Sequence, residues 1–203
     1  STTFITACGD AQTNIVEKDP IVVEDEHDHD DDDHDHDDGY TIDSLGRLAV
    51  LAGNSNEASF YDLDDNALLE TFTLTNDSNT LSSSPDFRYA VIASRAQDYL
   101  GFIDGGLWRE DHGEHLHDYE QSPAASSYEL TSGSRPTHLV KHDGQLAVFY
   151  DGDADSGTVA SVEVLTDNDI TSATATLPGI SYDINMHGVA EPRGEHLLST
   201  LRR

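Results

Sequence analysis

Residues 85–104 read PDFRYAVIASRAQDYLGFID, which is a turn, an apolar run, a second turn and another apolar run. Both runs are short and rich in β-branched and aromatic residues, as is typical of β-strands bounded by turns. A turn feeding an apolar strand recurs at residues 142–149 and again at 192–199. No stretch of the chain has a sustained helical period, so the sequence predicts an all-β fold.

The spacing of the repeated turn gives the length of the repeating unit. It falls at Gly46, Phe87, Gly144 and Gly194, which lie 41, 57 and 50 residues apart. This spacing predicts the blades of a β-propeller. We expect about four blades over residues 40–203, as the N-terminal half of a seven- or eight-bladed propeller. The alternative is a complete four-bladed or sandwich-like domain.

Ahead of the blades lies a tract made of two residue types. Residues 27–38 read HDHDDDDHDHDD, and this segment is called the His/Asp tract below. It has nothing apolar to bury, so we expect residues 1–39 to be a flexible tether. Imidazole nitrogens suit zinc, and the candidate ligands are His27, His29, His34 and His36. The alternative is a solvated acidic run with incidental histidines.

The composition narrows the class of partner. The 203 residues include 40 acidic and 10 basic side chains, for a formal net charge of −30. Such a surface argues against nucleic acid or anionic membrane as a partner and favours divalent cations. We expect a monomer.

The single cysteine has an informative context. Phe4-Ile5-Thr6-Ala7-Cys8-Gly9 resembles the lipobox of bacterial lipoproteins, in which small residues precede a lipidated cysteine. We therefore expect Cys8 to be lipidated and the protein to be an outer-membrane-anchored lipoprotein of a Gram-negative periplasm. The alternative is a free thiol. No stretch is apolar and long enough to span a bilayer.

A second histidine cluster lies in residues 105–120, in the long interval between the second and third repeats. His112, His115 and His117 fall within six residues. Two or three of them could reach one zinc ion if this loop curls, with Glu114 or Asp118 as an oxygen ligand or an orienting partner.

Two further histidines occupy similar places in the repeat. His138 lies six residues before Gly144, and His187 lies seven before Gly194. We expect both to precede the innermost strand of their blades and to converge at the central channel, beside the inserted loop. The alternative is that each is a hydrogen-bonded polar residue at the start of a strand.

These residues resemble a known family. FIDGGLW at 102–108 running into DHGEHLH at 111–117, with RPTH at 135–138 and MHGVA at 186–190, is similar to the AztD family of periplasmic zinc metallochaperones. The resemblance is loose over residues 40–203 and most distinct over 102–117. It implies a propeller that binds Zn²⁺ with histidines on its face, collects the ion with a His/Asp-rich segment, and hands it to the solute-binding protein of a zinc ABC importer.

The sequence therefore predicts capture and transfer of zinc rather than catalysis. Imidazoles favour zinc over calcium, and one methionine with no thiolate pair argues against copper. Binding should weaken as the pH falls from neutral to about 5.5, because protons compete for imidazole nitrogens. Two alternatives remain. One is a metal-dependent propeller hydrolase or lactonase with Glu114 or Glu120 as base, and the other is a surface interaction module.

Overall fold

The computed structural model describes residues 44–53, 55–111, 113, 116–174 and 179–202, and the backbone of residues 16–17. Strands dominate this part of the chain, so the all-β prediction is confirmed. Cys8, the His/Asp tract, His112 and His115 lie outside the described residues. In the part that is described, no helix is long and apolar enough to cross a membrane.

The described elements follow in chain order. They are β1 (Val16–Glu17), β2 (Arg47–Leu51), β3 (Glu57–Asp62), β4 (Leu68–Thr73), β5 (Thr80–Ser83), β6 (Tyr89–Ser94), a 3-10 turn (Arg95–Gln97), β7 (Tyr99–Asp104), β8 (Leu107–Asp111), β9 (Leu116–Glu120), β10 (Ala124–Leu130), β11 (Pro136–His142), β12 (Gln145–Tyr150), β13 (Ser161–Leu165), α1 (Asp167–Thr171), β14 (Ile180–Ser181), β15 (His187–Arg193) and β16 (His196–Arg202).

Four antiparallel sheets correspond to the four predicted units. Sheet I has the order β2-β3-β4, sheet II β5-β6-β7-β10, sheet III β11-β12-β13-β14, and sheet IV β15-β16. The repeated turn joins the first strand of a unit to the second: Phe87 lies between β5 and β6, Gly144 between β11 and β12, and Gly194 between β15 and β16. The chain thus folds as part of a β-propeller, as the repeat predicted.

The apolar runs are continuous because the central strands are buried on both faces. In β6, Ile92 packs toward sheet I and Val91 packs toward sheet III. In β12, Val148 faces sheet II while Phe149 faces sheet IV. A strand between two neighbouring sheets has no solvent face, so its sequence does not alternate. Burying each such side chain stabilises the fold by roughly 1.5–3 kcal/mol.

The insertion at 105–120 differs from the predicted curled loop. It contains the paired strands β8 and β9, called the insertion hairpin below, with Trp108 opposite Tyr119. In the chain it falls between β7 and β10, two paired strands of sheet II, rather than between the second and third units, and its strands belong to a separate sheet of order β1-β9-β8. The backbone of β1 pairs with the outer edge of β9, Val16 opposite Glu120.

One helical turn interrupts the strands. In α1, the Thr166 hydroxyl accepts from the Asp169 amide, and the Asp169 carboxylate accepts from the Thr166 amide. This reciprocal capping box stabilises a helix too short to form alone. The Asp167 carboxylate accepts from the Ser84 hydroxyl at 2.7 Å, which ties sheet III to sheet II. Burial raises the pKa of Asp167, although the hydrogen bonds from Ser84 and from the amides of Asp86 and Arg88 oppose that change.

The stack of sheets has two edges, which matter for the site. Strands β6 and β12 run from the repeated turns, at what we call the turn edge, to the opposite edge, which we call the site edge. At the site edge β6 ends at Ser94, β12 ends at Tyr150, and β15 begins at His187. The two edges are roughly 17 Å apart, because a six-residue strand rises about 3.3 Å per residue.

Candidate metal site at the edge of the sheets

Two histidines from different sheets meet at the site edge. His138 on β11 and His187 on β15 have their Nε2 atoms 3.3 Å apart, and their ring centroids lie 5.0 Å apart. We call these two residues the imidazole pair. The pair is accessible from solvent, since the His187 side chain is 55% exposed.

The close approach of β15 to sheet III depends on a glycine. A Cβ atom at Gly188 would lie 2.6 Å from the Phe149 ring, which is closer than real Cβ contacts. Because Gly188 follows His187 directly, only a residue without a side chain lets β15 pack near enough to bring His187 to His138.

A buried carboxylate orients His187. The Asp151 side chain is 9% exposed, and both of its oxygens lie 3.2 Å from His187 Nδ1. Burial by itself would raise the pKa of Asp151, but hydrogen bonds from Arg95, His187 and Thr137 outweigh it and lower that pKa below its usual 3.8. Asp151 is therefore ionised at neutral pH and can only accept hydrogen bonds.

This contact fixes the tautomer of the neutral imidazole. Because the Asp151 carboxylate only accepts, Nδ1 of His187 must carry the hydrogen and donate it. Nε2 of His187 is then bare and presents its lone pair toward His138. A carboxylate behind a histidine in this way is the usual arrangement around histidines that bind zinc.

An arginine from sheet II completes the network. Arg95 follows β6, and its Nη2 donates to Asp151 Oδ2 at 2.8 Å. Its Nε donates to the Thr137 hydroxyl at 3.2 Å, and Thr137 directly precedes His138. The site is therefore assembled from sheets II, III and IV.

The geometry of the pair fits a tetrahedral ion. Two nitrogens that are each about 2.0–2.1 Å from a tetrahedral zinc lie about 3.3–3.4 Å apart. The Nε2 separation of 3.3 Å in the imidazole pair matches that edge. Among the described residues, no group of three or more His, Cys, Asp or Glu side chains is arranged to hold a metal. That part of the chain thus brings two imidazole nitrogens together.

The third described histidine of the predicted set lies elsewhere. His117 is on β9 opposite Glu110, and its ring lies 6.3 Å from that of Tyr119. The insertion hairpin starts beside Asp104, at the end of β7, and Asp104 pairs with Tyr89 at the beginning of β6. Its base is therefore at the turn edge, across the sheets from the imidazole pair.

The base of the insertion hairpin is held by two arginines. Arg88 donates to Asp104 Oδ2 through Nε at 3.1 Å and Nη2 at 2.7 Å, and its guanidinium lies 4.0 Å from the Trp108 ring centroid. Arg47 of β2 donates to the carbonyls of Gly105 and Gln121. These contacts keep the base of the hairpin at the turn edge.

The two histidines of the pair are not equivalent in their ladders, and they lie on the first strands of their units rather than before them. His138 is opposite Phe149, whereas His187 is opposite Arg202 at the start of its ladder. A bulge at Thr137 shifts the register of β11. Gly144 is the second residue of its two-residue turn, whereas Gly194 is the first residue of its turn. Counting back from the glycine therefore gives similar sequence positions for two residues that sit at different rungs.

Sequence reasoning missed Asp151 and Arg95. Asp151 begins the segment DGDADSGT, which reads as a turn, and Arg95 follows a strand in a different unit. The only signal was positional: each residue comes directly after the second strand of its unit, and those strands end at the same edge.

The sheets and the imidazole pair define the molecule as part of a β-propeller with a two-histidine site at one edge. No family model matches the chain. The fold is similar to the crystal structure of AztD from Citrobacter koseri, with a TM-score of 0.65 and 23% identity over 77% of this chain and 40% of that one. The apo structure of the same protein gives 0.62 and 21% identity over 77% and 39%. The chain thus spans about 40% of the length of the AztD chains that it matches.

Proposed function

We propose that this protein binds zinc in the bacterial cell envelope and passes it to the solute-binding protein of a zinc ABC importer. The observation that carries the proposal is the 3.3 Å separation of the Nε2 atoms of His138 and His187, which matches the edge of a tetrahedral zinc site. The sequence resemblance to AztD metallochaperones points to the same function, and the fold similarity to AztD is consistent with it.

Open coordination positions suit transfer. The imidazole pair leaves positions that water or donor side chains from another segment or protein can take. An accepting protein can then add its own ligands before His138 and His187 leave, so that the ion moves by ligand exchange. A site closed by four protein ligands would have to open first.

The His/Asp tract is proposed to collect the ion. His27, His29, His34 and His36 offer imidazoles within a strongly negative field, which raises the local concentration of cations. Covalent connection to the blades keeps the tract at a high effective concentration near the imidazole pair. His112, His115 and His117, which lie within residues 105–120, are proposed as a further weak group.

The location is proposed from the N-terminal sequence. Lipidation of Cys8 would anchor the protein to the outer membrane on its periplasmic side, in the compartment where the solute-binding protein of an importer also works. We also propose that the protein acts as a monomer, because its high negative charge disfavours self-association.

The proposal is tested by zinc titration of the whole chain against a competing chelator. We expect tight binding that the double variant His138→Ala/His187→Ala loses, while weaker binding by the tract remains. Mixing the zinc-loaded protein with an apo solute-binding protein and separating the two should then show zinc on the acceptor. Equal tight binding by the wild-type protein and the double variant would sink the proposal.

A second candidate is a hydrolase. The contact of Asp151 with His187 Nδ1 is also how proteins orient a histidine that acts as a general base. In that case Nε2 of His187 would accept a proton rather than hold a metal, the protein would hydrolyse esters or lactones, and His187→Ala would abolish turnover. A panel of such substrates separates the two functions, since a transfer protein turns over none of them.

A further inference from the structure

Arg95 does not contact His138 or His187 directly, but it binds one residue that supports each of them. Its Nη2 binds Asp151, which orients His187, and its Nε binds Thr137, which precedes His138. The guanidinium comes from sheet II, whereas the histidines belong to sheets III and IV. One planar group with fixed donor directions thus spans the two supports of the pair.

We propose that Arg95 is a positioning residue that sets the separation of the two Nε2 atoms and thereby the strength of zinc binding. This inference rests on the proposed zinc function. Arg95 does not itself bind the metal. It acts by holding the Asp151 carboxylate and the Thr137 hydroxyl in place.

The physical reason lies in the supports themselves. Asp151 Oδ2 is shared between Arg95 and His187, so the loss of Arg95 removes one of the donors that fix the plane of the carboxylate. Thr137 lies at the bulge in the β11–β12 ladder, where regular strand pairing does not define the backbone. Both histidines would then gain rotational freedom, which a metal must remove when it binds.

The sign of the effect separates positioning from simple electrostatics. A fixed positive charge near a dication opposes its binding, so removing Arg95 should tighten zinc binding if charge alone matters. Positioning predicts the opposite, namely weaker binding.

Arg135 provides a matched control. It directly precedes β11, and its guanidinium pairs with Asp153 at 2.9 Å rather than with Asp151. Its side chain is 37% exposed, against 51% for Arg95. The contacts of Arg135 with Asp151 and Thr137 run through its backbone carbonyl, which the substitution keeps. Arg135→Gln therefore removes a guanidinium charge beside Asp153 without removing a side-chain contact of Asp151 or Thr137.

The experiment is zinc titration of the full chain in its wild-type, Arg95→Gln, Arg95→Lys and Arg135→Gln forms. We expect Arg95→Gln to weaken binding by about tenfold, the lower range for changes in groups that support metal ligands. Arg95→Lys should fall between it and the wild type, and Arg135→Gln should bind equally or more tightly. Binding by Arg95→Gln at or above wild-type strength overturns the proposal.

A measurement without metal keeps the inference separate from the proposed function. Long-range ¹H–¹⁵N NMR of the imidazoles should show His187 with its hydrogen on Nδ1 in the wild type, and a mixture of tautomers in Arg95→Gln. If the wild type binds no zinc, the proposed function fails, and this spectrum alone decides whether Arg95 is a positioning residue. The same His187 tautomer in Arg95→Gln as in the wild type would overturn that role. If Arg95→Gln does not fold, Thr137→Val replaces it, with severalfold weaker zinc binding expected and wild-type binding overturning the proposal.

Discussion

The imidazole pair and the insertion hairpin both present histidines, but they are built differently. His138 and His187 come from separate sheets and are held by a buried carboxylate and an arginine. His117 lies on a two-stranded insertion whose base is anchored at the opposite edge of the sheets. The contacts around the imidazole pair fix the direction of a nitrogen lone pair, whereas the contacts around the insertion hairpin chiefly fix the position of its base.

This difference shows what a cluster in the sequence does and does not imply. Three histidines within six residues look more like a metal site than two that lie 49 residues apart. Yet affinity depends on how much ordering remains to be done on binding. Residues brought together by a packed core have already lost that freedom during folding.

The largest expected effect is the loss of His187. His187→Ala should weaken the tight zinc site by about 100-fold or more, because it removes one of two nitrogen ligands and leaves Asp151 without that partner. His117→Ala should change the same affinity by less than about twofold. Chelator competition on both variants checks the comparison.

Circular dichroism on the same samples controls for folding. Similar losses in the two variants would mean that the pair and the hairpin bind the same ion, and the separation of the two regions would lose its functional meaning.

The next effect is that of the orienting carboxylate. Asp151→Asn keeps the size of the side chain but can present an NH₂ group to His187 Nδ1, which favours the wrong tautomer. We expect zinc binding to weaken by about 10- to 100-fold with His138 and His187 both present. Wild-type affinity in this variant would show that the imidazole pair needs no fixed tautomer. The contrast with the insertion hairpin, which rests on the fixed direction of a nitrogen lone pair, would then be lost.

Asp151 also makes stability depend on pH. Its pKa is lower in the folded protein than the usual 3.8, so its ionised form stabilises the fold above that value. The contribution, about 1.5–3 kcal/mol for hydrogen bonds to a charged group, is lost as the pH falls below 3.8 through the folded pKa. The difference in unfolding free energy between the wild type and Asp151→Asn should thus be larger at pH 7 than at pH 3. A difference that stays constant would contradict the assigned contacts.

Much of the fold could be predicted because it depends on local pattern. The turns at Phe87, Gly144 and Gly194 and the apolar runs that follow them identify the second strands of sheets II, III and IV. The hairpin at 107–120 was mistaken for a loop because its strands are polar and carry few apolar residues. Their pairing is supported by the stacking of Trp108 on Tyr119 at 5.0 Å, which no single short window reveals.

The site could be predicted only in part, for a similar reason. His138 and His187 could be selected as a pair, since both lie a similar distance before a repeated turn. Asp151 and Arg95 could not be linked to them, because the sequence does not specify which strand ends share an edge. The bulge at Thr137 also changes the register by an amount that only the folded ladder shows.

Deletion of the His/Asp tract should change the amount of zinc bound more than the strength of the tight site. Removing residues 27–38 takes away four imidazoles and eight carboxylates, so the total number of bound ions should fall. The affinity of the imidazole pair should change by less than about threefold, since its supports lie within the blades. Unchanged stoichiometry would identify the tract as a spacer, as the interaction-module alternative requires.

The smallest expected effect on zinc binding is that of Trp108. Its ring stacks on Tyr119 and also contacts the guanidinium of Arg88, and aromatic and cation–π contacts of this kind each contribute about 0.5–1.5 kcal/mol. Trp108→Ala should therefore loosen the insertion hairpin, seen as faster amide exchange in β8 and β9, while the affinity of the imidazole pair stays within about twofold of wild type. Leu107→Ala, on the neighbouring position of the same strand, controls for a general loss of side-chain volume. If Trp108→Ala instead weakened the pair strongly, the two edges would be coupled through sheet II, because β6 carries Tyr89 at one end and Ser94 at the other.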